Sequence, residues 1–259
     1  MRSVARVAPL ALVLLGAARS LAADGDAAPS SAKPEPARAA PVAADRRFPF
    51  IAGALRLGLL PYGRGEEKNG CSGACMGFAP ADASYRHGVA FGVGAEAFVT
   101  FLDVLRVGPS LFYVLPTHVD IDGAPGHFGV GSDLGIDLAV EAAPRIFTNL
   151  RVVPRLQGGA TVLFPDGELS KSLSQLREYC PADASGCSGL SGAHVGWNIG
   201  AGVGALYFLT DRIRLRADLL VQYYSVHLYN ISATLFANPI DVSETLSGAR
   251  SFILLGAEY

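Results

Sequence analysis

The sequence predicts an all-β protein, an eight-stranded antiparallel up-and-down barrel that spans a membrane. Three observations predict it. Apolar and polar residues alternate along eight segments, small and charged residues share one face of those segments, and the connections are alternately long and short. Mean hydropathy is +0.32, yet no run after the N-terminus reaches the roughly 18 apolar residues of a membrane helix.

The N-terminus resembles a secretory signal. Arg2 and Arg6 form a positive region, residues 7–18 are an apolar core, and Ser20-Leu21-Ala22 offers a cleavage site. The alternative, a membrane anchor, needs a longer apolar core. We therefore expect residues 1–22 to be a cleaved signal peptide and the mature chain to be exported.

Residues 23–46 have a different composition, rich in Ala and Pro with almost no large apolar side chain. Such a stretch cannot bury enough apolar surface to offset its chain entropy. It is predicted to be a flexible linker, which leaves residues 47–259 for the barrel.

The strand pattern has a period of two residues. The clearest example places Val89, Phe91 and Val93 on one face and Gly92 and Glu96 on the other. Alternation of this kind indicates strands rather than helices. The predicted strands cover residues 50–62, 85–101, 104–116, 127–142, 149–164, 193–208, 212–228 and 246–259.

Charged residues fall on the same face as the glycines, and Glu258 shares this placement. A narrow barrel interior has room only for small side chains and paired charges, and the bulky apolar face is then left to contact lipid. A soluble lipocalin-like binder, the alternative, would bury its apolar face instead. The predicted lumen charge network comprises Arg56, Arg86, Glu96, Arg106, Asp133, Asp137, Glu141, Arg151, Arg155, Arg214, Arg216, Asp218 and Arg250.

Connection lengths give an independent test of the topology. Short connections lie near residues 102–103, 143–148 and 209–211, and long ones cover 63–84, 117–126, 165–192 and 229–245. Transmembrane barrels of bacteria have short periplasmic turns and long extracellular loops. The pattern therefore places every long loop outside and both chain ends in the periplasm.

Aromatic residues lie near the predicted strand ends, where they would form two girdles at the membrane interfaces. Ordinary strand aromatics are the alternative interpretation. The periplasmic girdle would contain Phe101, Tyr207 and Tyr259, and the outer girdle Tyr113, Phe128, Phe164 and Tyr223.

The last nine residues, SFILLGAEY, end in an aromatic residue preceded by alternating apolar positions. This stretch is similar to the C-terminal assembly signal of small outer-membrane proteins, with Ile253, Leu255, Ala257 and Tyr259 in the signal positions. Residues 48–259 resemble the eight-stranded OmpA/OmpX/OmpW-like group. The resemblance implies the outer membrane of a Gram-negative-type bacterium as location, outer-membrane lipid as surroundings and insertion by the barrel assembly machinery.

Four cysteines lie in two of the long loops. An exported protein is expected to form disulfides, and four cysteines allow three pairings. We favour Cys71–Cys75 and Cys180–Cys187 over pairings that join the two loops. The spacings fit a zinc site poorly.

Leucines at helical spacing, Leu169, Leu173 and Leu176, predict a short helix within the third long loop. The preferred interpretation is a helix that packs over the barrel mouth, and the alternative is a partner-binding patch.

Catalytic motifs are weak. None of the five histidines precedes a serine by two positions, as a lipid-deacylase pair requires. His118, Asp120 and Asp122 lack the full spacing of a calcium loop. We therefore predict no catalytic residue, metal or cofactor, and the net charge of −2 gives no reason to expect nucleic acid as partner.

The predicted function is a non-catalytic barrel with a structural or surface-interaction role through its extracellular loops, whose ligand the sequence does not identify. Alternatives are a small porin-like channel or hydrophobic-solute conduit, an enzyme that modifies envelope lipids and the soluble lipocalin-like binder.

Overall fold

A computed structural model describes residues 48–73, 82–147, 149–180, 186–235 and 238–259. The predicted signal peptide (1–22) and linker (23–46) lie outside these ranges. Within them, no helix has the length and apolar character needed to cross a membrane.

Antiparallel strands account for most of the described chain. They are β1 (Ile51–Gly73), β2 (Ala83–His87), β3 (Ala90–Phe101), β4 (Leu105–Ile121), β5 (Phe128–Ala142), β6 (Leu150–Pro165), β7 (Cys187–Ser188), β8 (His194–Phe208), β9 (Arg214–Leu235) and β10 (Asn238–Glu258). One helix, α1 (Gly167–Tyr179), lies between β6 and β7 in the described chain.

The strands close into a ring. Each main strand pairs with the next, and β10 pairs with both β9 and β1, so that Leu255 lies opposite Ala217 on one side and Leu57 on the other. β2 and β3 occupy one position, because both pair with β1 and β4. With β7 outside the ring, eight positions remain, and the predicted eight-stranded barrel is confirmed.

Alternate residues of the ring point outward and inward. The outward face is an apolar band, in which Leu55 is 71% exposed and Val221 is 58% exposed. Phe101, Tyr207 and Tyr259 are exposed at the end with the short turns, here called the short-turn end. At the opposite, long-loop end, the outward residues Trp197 and Tyr223 have ring centroids 5.6 Å apart.

The pattern changes near the long-loop end. The β4–β5 register shifts between Val114 and Thr117, and Gly131 of β5 has φ +116°. A side chain at Gly131 would collide with the carbonyl oxygen of Phe164. An irregularity of this kind exchanges the inward and outward faces of a strand. Beyond it, Val119 and Val130 point inward.

Inward apolar residues beyond this level form a buried group, here called the mouth cluster. Its members are Tyr85, Val119, Val130, Leu163, Leu169, Leu173, Leu190, Tyr224, Val226, Leu228 and Tyr229. Phe128 packs against this cluster, so its predicted place in the outer girdle is wrong. The exchange of faces on β5 is the reason.

Two of the predicted long loops are mostly strand. β1 continues to Gly73, and β9 and β10 remain paired from the apolar band to Leu235 and Asn238. Exposed residues there include Arg64, Lys68 and Asn230, because these parts of the strands lie beyond the apolar band. The predicted loop ranges 63–84 and 229–245 are therefore too long, and the predicted alternation of connection lengths is not kept, because β9 and β10 are joined by residues 236–237 alone.

Candidate functional site

The barrel interior is filled with paired charges. Twelve of the thirteen predicted lumen charges are buried inside the ring, together with Glu258. The buried cations are Arg56, Arg106, Arg151, Arg155, Arg214, Arg216 and Arg250, and the buried anions are Glu96, Asp133, Asp137, Glu141, Asp218 and Glu258.

Carboxylates in this network bridge arginines from different strands. Glu96 contacts Arg56 at 2.8 Å and Arg155 at 2.6 Å. Glu258 contacts both Arg106 and Arg214 at 2.6 Å. Such charge-assisted pairs satisfy ions that burial would otherwise make costly.

Little space remains among these side chains. A cavity of about 10 Å³ lies between Glu96, Asp137 and Arg155, and one water molecule needs roughly that volume. This cavity therefore has no room for a solute larger than water.

Arg86 was predicted to belong to the lumen charge network, and this prediction is wrong. Its side chain is exposed and donates to Asp122 at 3.0 Å. This hydrogen bond raises the pKa of Arg86 above its ordinary value. Arg86 lies in β2, beyond the break between β2 and β3, where the alternation of β3 no longer applies.

Phe48 closes the short-turn end, a role that the sequence did not reveal. Its ring is 7% exposed and lies beneath the guanidinium groups of Arg151 and Arg106, at 4.1 and 4.6 Å from the ring centroid. Its backbone N–H donates to Asp103 at 3.0 Å. A single phenylalanine ahead of the first strand carries no periodic signal.

A cavity of about 250 Å³ lies at the long-loop end, within the mouth cluster. An apolar cavity of about 150 Å³ is enough to bind benzene. This mouth cavity is lined mainly by apolar side chains of β4, β5, β6, β9 and α1, among them Val119, Val130, Leu163, Val226 and Leu173.

Helix α1 covers the cavity, as predicted, with Leu169, Leu173 and Leu176 among the lining residues. Asp166 caps the helix by accepting from the N–H of Gly167 at 2.7 Å. Gly167, the first residue of the helix, has φ +59°, a conformation that favours glycine.

Both ends of α1 are attached to the barrel. The carboxylate of Glu168 accepts from the backbone N–H of Gly129 at 2.7 Å, and this hydrogen bond lowers the pKa of Glu168. At the other end, Cys180 forms a disulfide with Cys187 of β7, the pairing favoured from the sequence. β7 in turn pairs with β9. Cys75, half of the other favoured pair, lies outside the described residues.

Polar groups line the cavity at its floor and at its rim. On its floor, Arg250 donates to Asp133. Beside them, the Tyr85 and Tyr224 hydroxyls are 2.8 Å apart, and His87 Nε2 lies 2.6 Å from the Tyr224 hydroxyl.

The rim of the cavity carries Glu67, Tyr229 and Glu244. Burial, followed by the nearby Glu67 carboxylate, raises the pKa of Glu244 to about 7. The pKa of Tyr229 is also raised, chiefly by burial. Glu244 therefore holds its proton to a higher pH than an ordinary glutamate does.

The remaining candidates lie apart from the cavity. Ile253, Leu255 and Tyr259 are exposed outward on β10, and Ala257 shares that face. Their role as an assembly signal stays a prediction. Asp120 contacts His127 at 2.5 Å, and Asp122 contacts Arg86, while His118 is exposed.

The closed ring, the outward apolar band and the charged lumen define the chain as a small eight-stranded barrel of the outer-membrane type. No model of a known protein family matches the chain, and no curated protein matches it. Solved structures with a similar fold include three outer-membrane or surface proteins.

The first is the outer membrane protein OprG from Pseudomonas aeruginosa, at 15% identity and TM-score 0.40, covering 78% of this chain and 95% of that one. Neisserial surface protein A is 13% identical at TM-score 0.38, with 80% and 97% covered. The outer membrane protein AlkL is 15% identical at TM-score 0.39, with 91% and 96% covered.

Proposed function

We propose that this protein is a non-catalytic barrel of the bacterial outer membrane that binds a small, mainly hydrophobic molecule in its mouth cavity. The observation that carries the proposal is the cavity itself, about 250 Å³ in volume and lined mainly by apolar side chains. Concave, mostly apolar sites with a few polar groups are the usual form of small-molecule sites.

The orientation of the barrel supports a role at the cell surface. Short turns face the periplasm in barrels of this type, so the long-loop end, with α1 and the mouth cavity, would face outward. The surface-interaction role expected from the sequence then becomes more specific, because the partner met at this end is a small molecule.

The filled lumen argues against the porin-like alternative. Below the Arg250–Asp133 pair, carboxylates and arginines cross-link the strands, and Phe48 covers the far end. Opening an axial path would separate several buried ion pairs at once, at a cost of several kcal/mol for each uncompensated ion. The proposed activity is therefore binding at the mouth, without conduction along the axis.

Binding of p-xylene to the protein in lipid nanodiscs tests this proposal. Leucine and valine methyl groups labelled with ¹³C report on the site. We expect shifts at Leu169, Leu173 and Val226, which line the cavity, and none at Leu219 and Leu255, which face lipid.

Two serines of α1 provide a matched pair of variants. Ser172 lines the cavity, whereas Ser174 is exposed and donates to the carbonyl of Ser170. Ser172→Phe should weaken p-xylene binding by at least about tenfold because the ring occupies the ligand's space, and Ser174→Phe should leave it unchanged. Equal shifts at cavity and lipid-facing methyl groups, or equal binding by both variants, would overturn the proposal.

A further inference from the structure

One histidine of the mouth-cavity lining has a buried nitrogen without a hydrogen-bond partner among the described residues. His87 lines the cavity, and its Nε2 contacts the Tyr224 hydroxyl at 2.6 Å. Its Nδ1 is buried and makes no hydrogen bond within the described part of the chain. A buried polar atom left in this state is costly, and the imidazole ring that carries it lines the cavity.

The hydrogen bonds around His87 constrain what Nδ1 can do. In one arrangement Tyr85 donates to the carbonyl of Ser247 (3.3 Å), Tyr224 donates to Tyr85, and Nε2–H donates to Tyr224. Nδ1 is then a bare acceptor. In the reverse arrangement Tyr85 donates to Tyr224, which donates to Nε2, and Nδ1–H becomes a donor without a partner.

A hydroxyl group fits both arrangements, because it donates to a bare Nδ1 and accepts from Nδ1–H. A carbonyl fits the reverse arrangement alone. A carboxylate meets unfavourable charges, since Asp133, Glu67 and Glu244 also line the cavity. Among the described residues of the lining, Arg250 is the one arginine, and it already donates to Asp133 and Gln222.

We infer that the molecule bound in the mouth cavity is an alcohol or a phenol, whose hydroxyl group hydrogen bonds to Nδ1 of His87 while its apolar part packs against the leucines of α1. This inference rests on the proposed function and specifies its ligand. His87 would then select ligands that carry a hydroxyl group, which the apolar side chains of the lining cannot do.

The test compares p-cresol with p-xylene, which differ by a hydroxyl in place of a methyl group. Dissociation constants are measured in nanodiscs for the wild type, His87→Phe and His194→Phe. His194 is a matched control, because its Nε2 is also buried without a partner among the described residues, yet it does not line the cavity.

We expect the ratio of the p-xylene to the p-cresol dissociation constant to fall about tenfold in His87→Phe, the loss of one hydrogen bond. The ratio should stay within about twofold of wild type in His194→Phe. Because each ratio is compared within the same nanodiscs, partition of the probes into lipid cancels.

A second measurement needs no substitution at His87. In wild-type protein with ¹⁵N-labelled histidine, the Nδ1 resonance of His87, assigned by single substitution of the other histidines, should move with p-cresol and stay unmoved with p-xylene. If both probes bind with a ratio that His87→Phe does not change, or the resonance is unmoved by p-cresol, the inference is wrong and the mouth site stands. If neither probe binds to the wild type, both proposals fail.

Discussion

Arg250 of β10 reaches across the barrel to Asp133 of β5 and forms two parallel hydrogen bonds with its carboxylate, at 2.7 and 2.8 Å. Its Nε also donates to Gln222 at 3.0 Å. The pair separates two environments, because the apolar mouth cavity lies on one side of it and the charged lumen on the other. The two paired residues are 117 positions apart in the sequence.

Arg250→Met should destabilise the barrel by about 3–5 kcal/mol, because it leaves Asp133 buried without its cation. Adding Asp133→Leu should recover most of that loss, since the uncompensated charge is then removed as well. The measurement is urea unfolding in detergent, followed by the mobility of the folded barrel on gels without boiling.

Arg86→Met is the matched control, because Arg86 pairs with Asp122 at the surface. Exposed ion pairs contribute little to stability, so no measurable change is expected. A double variant that is no more stable than Arg250→Met alone would show that the cost comes from lost packing rather than from the buried charge.

Phe48 should contribute to stability through its position beneath Arg151 and Arg106. Phe48→Ala removes a buried ring and its cation–π contacts, and we expect a loss of about 3–5 kcal/mol. Phe50→Ala is the control, since Phe50 is two residues away and 68% exposed. The same urea titration measures both, and similar losses in the two variants would contradict a closing role for Phe48.

Much of the barrel could be predicted because its outward face obeys a simple rule. Lipid accepts only apolar side chains, so an apolar residue recurs at every second position of each spanning strand. On β9, the charged residues Arg214, Arg216 and Asp218 therefore alternate with Leu215 and Leu219. Ring closure, strand number and the inward charges follow from this repeat. The pairing of particular charges does not, because it depends on strand register and side-chain reach.

The mouth cavity could not be read from the same rule. On β5, the conformation at Gly131 exchanges the faces, so the alternation in sequence places Val130 on the lipid-facing side although it points inward. The sequence of β9 did indicate the change, because its apolar residues occupy odd positions at Val221 and Tyr223 and even positions at Val226 and Leu228. That change of phase marks the level at which the strand leaves the lipid.

Glu244 should make the stability of the long-loop end depend on pH. Its pKa is raised to about 7, above that of the unfolded chain, so the folded state holds the proton more tightly. By linkage, the resulting stability is fully present below the unfolded pKa and is lost as the pH rises towards 7 and above. Hydrogen exchange of the paired β9–β10 extension, measured from pH 5 to pH 8 and corrected for the intrinsic rate, should show falling protection.

Glu244→Gln should remove this dependence and raise protection at pH 8, because an amide cannot acquire the charge. Asp241→Asn is the matched control, since Asp241 is an exposed acid on the same strand. A pH profile of the extension that is unchanged by Glu244→Gln would assign the dependence to another group.

Glu168 should hold α1 over the cavity, because its carboxylate accepts from the N–H of Gly129 on the neighbouring strand. Glu168→Ala removes this attachment, and we expect faster hydrogen exchange in the first turns of α1 and faster dissociation of p-xylene. Since the same hydrogen bond lowers the pKa of Glu168, the attachment in the wild type persists at neutral pH and weakens as the pH falls through the lowered pKa.

Glu178→Ala is the matched control, because it removes a carboxylate from the same helix without removing the attachment to Gly129. Glu178 is exposed near the end of α1. The disulfide is expected to act in the same direction at the other end of α1, so Cys180→Ser with Cys187→Ser should add to the effect of Glu168→Ala. If α1 exchanges equally fast in Glu168→Ala and Glu178→Ala, the helix is held by its leucines alone, and the Glu168–Gly129 hydrogen bond has no part in closing the cavity.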